Sequence, residues 1–141
     1  MLLDCAKIMN NTSLALYFRI SLAVIYIWFG TLKFFPGLSP AEDLAEKSIV
    51  QLTGNLDLQH LGYLTLAAWE VIIGVGFLVG KPIKFWTRLA LIHMFFTFTP
   101  MVMLPDLCFS QTPFAFTLVG QYIMKNLIFI GAILWLEKSN K

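Results

Sequence analysis

Apolar residues gather into four long runs, near residues 14–35, 60–79, 84–105 and 114–136, separated by short polar stretches. A helix needs about 20 mostly apolar residues to cross roughly 30 Å of hydrocarbon. Each run is long enough to do so. Between the first two runs, Pro36-Gly37-Leu38 breaks the pattern. Ser39-Pro40-Ala41-Glu42 then reads as a capping box with proline at the first helical position. The spacing predicts a helix over 39–53. Ala41, Leu44, Ala45, Ser48, Ile49 and Leu52 share one face, Glu42, Asp43, Glu46 and Lys47 the other, and Gly54-Asn55 ends it. Such a helix either lies on the outer membrane surface or packs on the spans as an ordinary loop helix. The pattern predicts an all-α integral membrane four-helix bundle, with a short amphipathic helix in the first extracytoplasmic loop and a single domain over 1–141.

Composition strengthens this picture. The hydrophobic set makes up 58% of the chain, charged residues 13%, and mean hydropathy is +0.76. A soluble domain carries about 25% charged residues. A buried soluble bundle shows similar apolar segments, but four runs of spanning length with so little charge elsewhere favour the membrane. A net charge of +2 is too small for a nucleic-acid footprint. Cys5 and Cys108 form no zinc pattern or redox pair, and no metal-ligand set is expected. No phosphate-binding glycine loop or hydrolase motif appears. Asp4 precedes Lys7, Arg19 interrupts the first run, and no cleavage site follows, so the first run is expected to be a retained helix.

Charge also orients the spans. Lys81, Lys84 and Arg88 cluster at the second connection, Lys7 lies near the N-terminus, and Lys138 and Lys141 near the C-terminus. Basic residues favour the cytoplasmic side, so both termini and the second connection are expected there. Trp86, Trp135, Tyr17 and Tyr63 fall near span ends, where amphipathic rings favour the interface.

Depth is the most informative reading of the polar residues. The midpoints of the second, third and fourth runs fall near Glu70, His93 and Lys125, which places these groups within about 5 Å of one another in depth. Ionisable groups at mid-membrane normally face a bundle interior or a wet cavity. Tyr63, Ala67, Glu70 and Gly74 share a face of the second run. Arg19, Ala23, Tyr26, Gly30 and Lys33 form a stripe on the first. Thr117, Gln121 and Lys125 form a stripe on the fourth, flanked by Tyr122 and Asn126. Thr97 lies one turn after His93, and Pro100 should loosen the third span. Glu70 and Lys125 are the best-matched ion pair in depth. Arg19, about 8 Å from the midpoint of its span, either snorkels or supplies a second partner. Lys33 is expected to reach the outer interface. His93 is a candidate proton carrier or a structural hydrogen-bond donor.

These residues also carry a family resemblance. Tyr26-Ile27-Trp28-Phe29-Gly30-Thr31-Leu32-Lys33-Phe34-Phe35-Pro36 resembles the first-span signature of the DoxX-like membrane proteins, and Ser39-Pro40-Ala41-Glu42 fits a subgroup. Trp69-Glu70-Val71-Ile72-Ile73-Gly74 is similar to their second span, and Gly120-Gln121-Tyr122-Ile123-Met124-Lys125-Asn126 to their last. The resemblance implies a multi-pass protein of the bacterial inner (cytoplasmic) membrane. Some DoxX-like and DoxD-like proteins are linked to quinone-coupled sulfur oxidation or membrane redox complexes. No haem, iron–sulfur or flavin motif is present, so electrons would be carried by a quinone or another external cofactor.

Three readings follow. In the first, the chain is an accessory subunit of a quinone-linked redox system, with a polar pocket of Glu70, Lys125, Gln121, Tyr122, Asn126, His93, Tyr26, Arg19 and Lys33. In the second, the same charges line a small-solute or proton pathway. In the third, they hold together a non-catalytic scaffold or assembly partner. Partners under these readings are the lipid bilayer, other membrane redox subunits or a second copy of the chain.

Overall fold

The computed structural model describes the backbone of residues 2–54 and 56–139, and the side chains from Thr12 onward within those ranges. The expectations about Asp4, Cys5, Lys7, Asn55 and Lys141 lie outside the described residues or side chains. The molecule is mostly helical. Helix α1 covers Leu2–Leu32, α2 Glu42–Thr53, α3 Gln59–Val79, α4 Ile83–Thr97, α5 Thr99–Met103, α6 Pro105–Cys108 and α7 Leu118–Ser139. A single 3₁₀ turn, Leu56–Leu58, leads into α3. Strands β1 (Phe109–Gln111) and β2 (Ala115–Phe116) pair antiparallel, Phe109 opposite Phe116 and Gln111 opposite Ala115.

Among the described residues, three helical segments are long and apolar enough to cross a membrane: Thr12–Leu32, Leu56–Val79 and Leu118–Ser139. The expected third span, 84–105, is not one helix. It breaks at Phe98, because Pro100 has no N–H to donate to the Phe96 carbonyl. The Thr99 hydroxyl takes that carbonyl instead, at 2.7 Å. The expected fourth span, 114–136, begins late, because residues 109–116 fold into the hairpin and Thr117 caps α7. The Thr117 Oγ1 accepts from the Gly120 N–H at 3.2 Å, an N-cap bond. The small hairpin is the one strand pairing seen among the described residues of an otherwise helical fold.

Helix α2 starts later than expected, at Glu42 rather than Ser39. No side chain caps it at Ala41. The Glu42 carboxylate reaches past Ser39 and accepts from the Gly37 N–H at 2.8 Å. Gly54 ends the helix at φ 65°, a conformation that glycine adopts without steric cost. The helix rests on α3 and α5. Gln59 donates to Glu46 at 2.6 Å, and a Cβ at Gly62 would stand 2.8 Å from Ile49 Cγ2.

The most extensive packing joins α1 and α3, which run antiparallel. A Cβ on Gly30 would lie 2.9 Å from Glu70 Cβ, and one on Gly74 would lie 2.6 Å from Ile27 Cγ1. Small residues at these positions let the two backbones approach closely. Ala23 and Ala67, both fully buried, extend the same faces. Helix α4 returns beside α3, and the Trp86 ring covers Gly76. Helix α7 packs on α4 and closes against α1, where Phe18 and Trp135 meet edge to face at 5.2 Å. The outer faces stay apolar: Trp28, Val79, Phe95 and Ile128 are each more than half exposed.

Candidate functional site

Four side chains able to give or take a proton meet where α1, α3 and α4 touch. Lys33 Nζ donates to Glu70 Oε2 at 2.5 Å. Glu70 Oε1 lies 3.0 Å from His93 Nε2. His93 Nδ1 lies 3.2 Å from the Tyr26 hydroxyl, which also lies 3.5 Å from the Ala90 carbonyl. Each of the four residues is at most 7% exposed. They therefore form one continuous hydrogen-bonded chain inside the protein.

Each position follows from its helix. Tyr26 lies on the buried stripe of α1 and Lys33 seven residues on, one past its last residue, with Gly30 between them packed on the Glu70 stem. Side chains tilt toward the N-terminus of a helix. A lysine just past the end of α1 therefore reaches back along its own helix, and Lys33 Nζ also lies 3.4 Å from the Phe29 carbonyl. This corrects the expectation that Lys33 reaches the outer interface. Tyr63, Ala67, Glu70 and Gly74 are all buried on one face of α3. His93 is walled by Tyr26 at 5.3 Å and Trp69 at 5.8 Å between ring centroids.

The chain accommodates two protonation patterns. With neutral His93, Nε2–H donates to Glu70 and Nδ1 accepts from the Tyr26 hydroxyl. With an imidazolium, both nitrogens donate, and the Tyr26 O–H can turn toward the Ala90 carbonyl. Both Glu70 oxygens stay engaged throughout.

Lys125 is not part of this site. It is exposed, with its ammonium 4.9 Å from the centre of the Tyr122 ring. Gln121 and Tyr122 are exposed beside it. The expected Glu70–Lys125 pair is thus replaced by Glu70–Lys33, because the Gln121–Lys125 stripe of α7 turns away from α3. Asn126 turns inward but bonds Thr97 at 3.1 Å, joining α7 to α4. Arg19 also stands apart from the cluster. It donates to the Phe77 carbonyl at 3.1 Å and the Leu78 carbonyl at 3.0 Å, closing the C-terminal end of α3. The nine residues expected to share one pocket therefore divide into a buried tetrad, an outward patch and two separate fastenings.

The contact of Trp69 with His93 was not expected from the sequence, although its place beside Glu70 was a signal. The Trp69 indole N–H is buried without a partner. Cys108 is also buried, and burial pushes its thiol up. Among the described residues, no group of three or more His, Cys, Asp or Glu side chains is placed to hold a metal ion. The donors expected to surround a quinone headgroup do not converge, so the tetrad does not fit as such a pocket. A scan against protein-family models, a search of the curated proteins and a search of the solved structures each found no match.

Proposed function

We propose that the chain is a four-helix integral membrane protein of DoxX-like type that serves as an accessory subunit of a quinone-linked redox system. Its own chemical contribution is to hold and pass a proton. The observation that carries this reading is the Lys33–Glu70–His93–Tyr26 chain, in which Tyr26 has a partner in either protonation state of His93. Ionisable groups inside a membrane are costly and tend to mark proton relays. The redox setting rests on the resemblance of the span motifs. The quinone itself is assigned to another subunit.

The test is quinol oxidation by membranes from a deletion strain carrying wild-type or variant protein, compared at equal protein level. Glu70→Gln and His93→Gln are each expected to lower the rate by about 10²-fold, the range of a lost general acid or base. Unchanged rates at unchanged protein level overturn the reading.

A second reading has its own observation. Both oxygens of Glu70 are engaged and its stem is packed under Gly30, as in an assembly pin. Under that reading the same variants lower the amount of folded protein and leave turnover per molecule unchanged.

A further inference from the structure

The outward face of α7 is unusual for a membrane-crossing helix. Gln121, Tyr122 and Lys125 are exposed along it, followed by Ile128, which is 74% exposed, and Gly131. Lys125 lies about 10 Å along the axis from the first residue of α7. Its ammonium reaches back over the Tyr122 ring, still inside the span, and an ammonium facing acyl chains there is costly. Among the described residues, no acid pairs with it. Among the eight acids, Glu70 alone lies in the middle of a span, and Lys33 and His93 already hold it. A second copy presenting the same face would set ammonium against ammonium.

Past Lys125 the surface continues through Ile128 and Ala132 into a hollow that can receive a helix. Nothing lies within 4 Å of where a Cβ on Gly131 would stand. Gly131 borders a hollow of about 370 Å³ between α1 and α7, lined by Leu14, Phe18, Ile128, Gly131, Ala132 and Trp135. Open small residues beside an apolar hollow let another membrane helix approach closely.

The geometry points to a docking surface for a transmembrane helix of a different protein, one carrying a carboxylate about two turns inside its span that pairs with Lys125. Gly131 and the hollow receive the apolar part of that helix. This inference rests on the membrane reading above and supplies the kind of partner that reading requires.

The probe is a synthetic leucine-rich helix of about 20 residues with one Glu about two turns from one end, compared with the same peptide carrying Gln. Dye-labelled full-length protein and acceptor-labelled peptide are reconstituted in phosphatidylcholine vesicles, and energy transfer is read against the peptide-to-lipid ratio. The Glu peptide is expected to bind about five-fold more tightly than the Gln peptide. Lys125→Met removes that preference without moving the unfolding midpoint, and Lys125→Arg retains it. Gly131→Leu weakens both peptides and leaves the preference intact. Equal binding of the two peptides, or a preference that survives Lys125→Met, overturns the inference. Energy transfer between copies that excess Glu peptide does not displace makes a second copy the occupant, which also overturns it. A preference lost when phosphatidylglycerol is added assigns Lys125 to a lipid headgroup, with the same consequence. Binding is read only on protein that floats with the vesicles. Failure to float overturns the membrane reading itself and is seen before any peptide is added.

Discussion

Glu70→Ala leaves the Lys33 ammonium buried with no carboxylate beside it. Removing one partner of a buried ion pair costs about 3–5 kcal/mol. Equilibrium unfolding in mild detergent should show a loss of that size. The double variant Lys33→Met/Glu70→Met should recover most of it, because neither charge is then left buried; a double variant no more stable than Glu70→Ala would contradict the pairing. The sequence marks every member of the tetrad, since Tyr26, Lys33, Glu70 and His93 are polar residues on small or polar faces of apolar runs. It misassigns the base that pairs with Glu70. Depth along a helix is one coordinate, and it favours Lys125. Rotation about the helix axis and the direction of a long side chain are others, and they favour Lys33. Arg19 is harder to read, because its partners are backbone carbonyls that leave no mark in a side-chain pattern.

At the scale of the element, the α1–α3 contact depends on the absence of side chains. A Cβ at Gly74 would stand 2.9 Å from the Ile27 backbone nitrogen, which cannot move without shifting the helix. Gly74→Leu should therefore cost about 1–3 kcal/mol, read as a lower unfolding midpoint, and Val75→Leu on the exposed neighbouring position should not. These faces are legible because small and polar residues recur at helical spacing. The break at Phe98 and the hairpin before α7 are not. Hydropathy continues smoothly across Pro100 and through Phe114-Ala115-Phe116, whereas the chain ends its helices where backbone hydrogen bonds fail. The capping box at Ser39 misleads for a related reason. Glu42 finds a backbone N–H at Gly37, so the same residue types serve a turn instead of a helix start.

For the molecule as a whole, the antiparallel order of α1, α3, α4 and α7 places the Gly80–Pro82 turn and the last turn of α7 at one end. Arg88 and Glu137 meet there at 3.5 Å. Helix α2, α5, α6 and the hairpin gather at the other end. On the proposed membrane reading, the basic connections predict that the first end faces the cytoplasm. In intact spheroplasts, with Cys5 and Cys108 replaced by serine, an impermeant maleimide should label Gln111→Cys and not Ser139→Cys. The opposite pattern would invert the orientation. The fastenings on α1 impose a further restriction. Arg19 grips the end of α3 and Lys33 grips its middle, about four turns of α1 apart. Deleting or inserting one residue between them would swing one grip about 100° around the axis while the other stayed in place. Residues 20–32 are therefore a segment of fixed length, open to changes of residue type on the outer side and closed to changes of count.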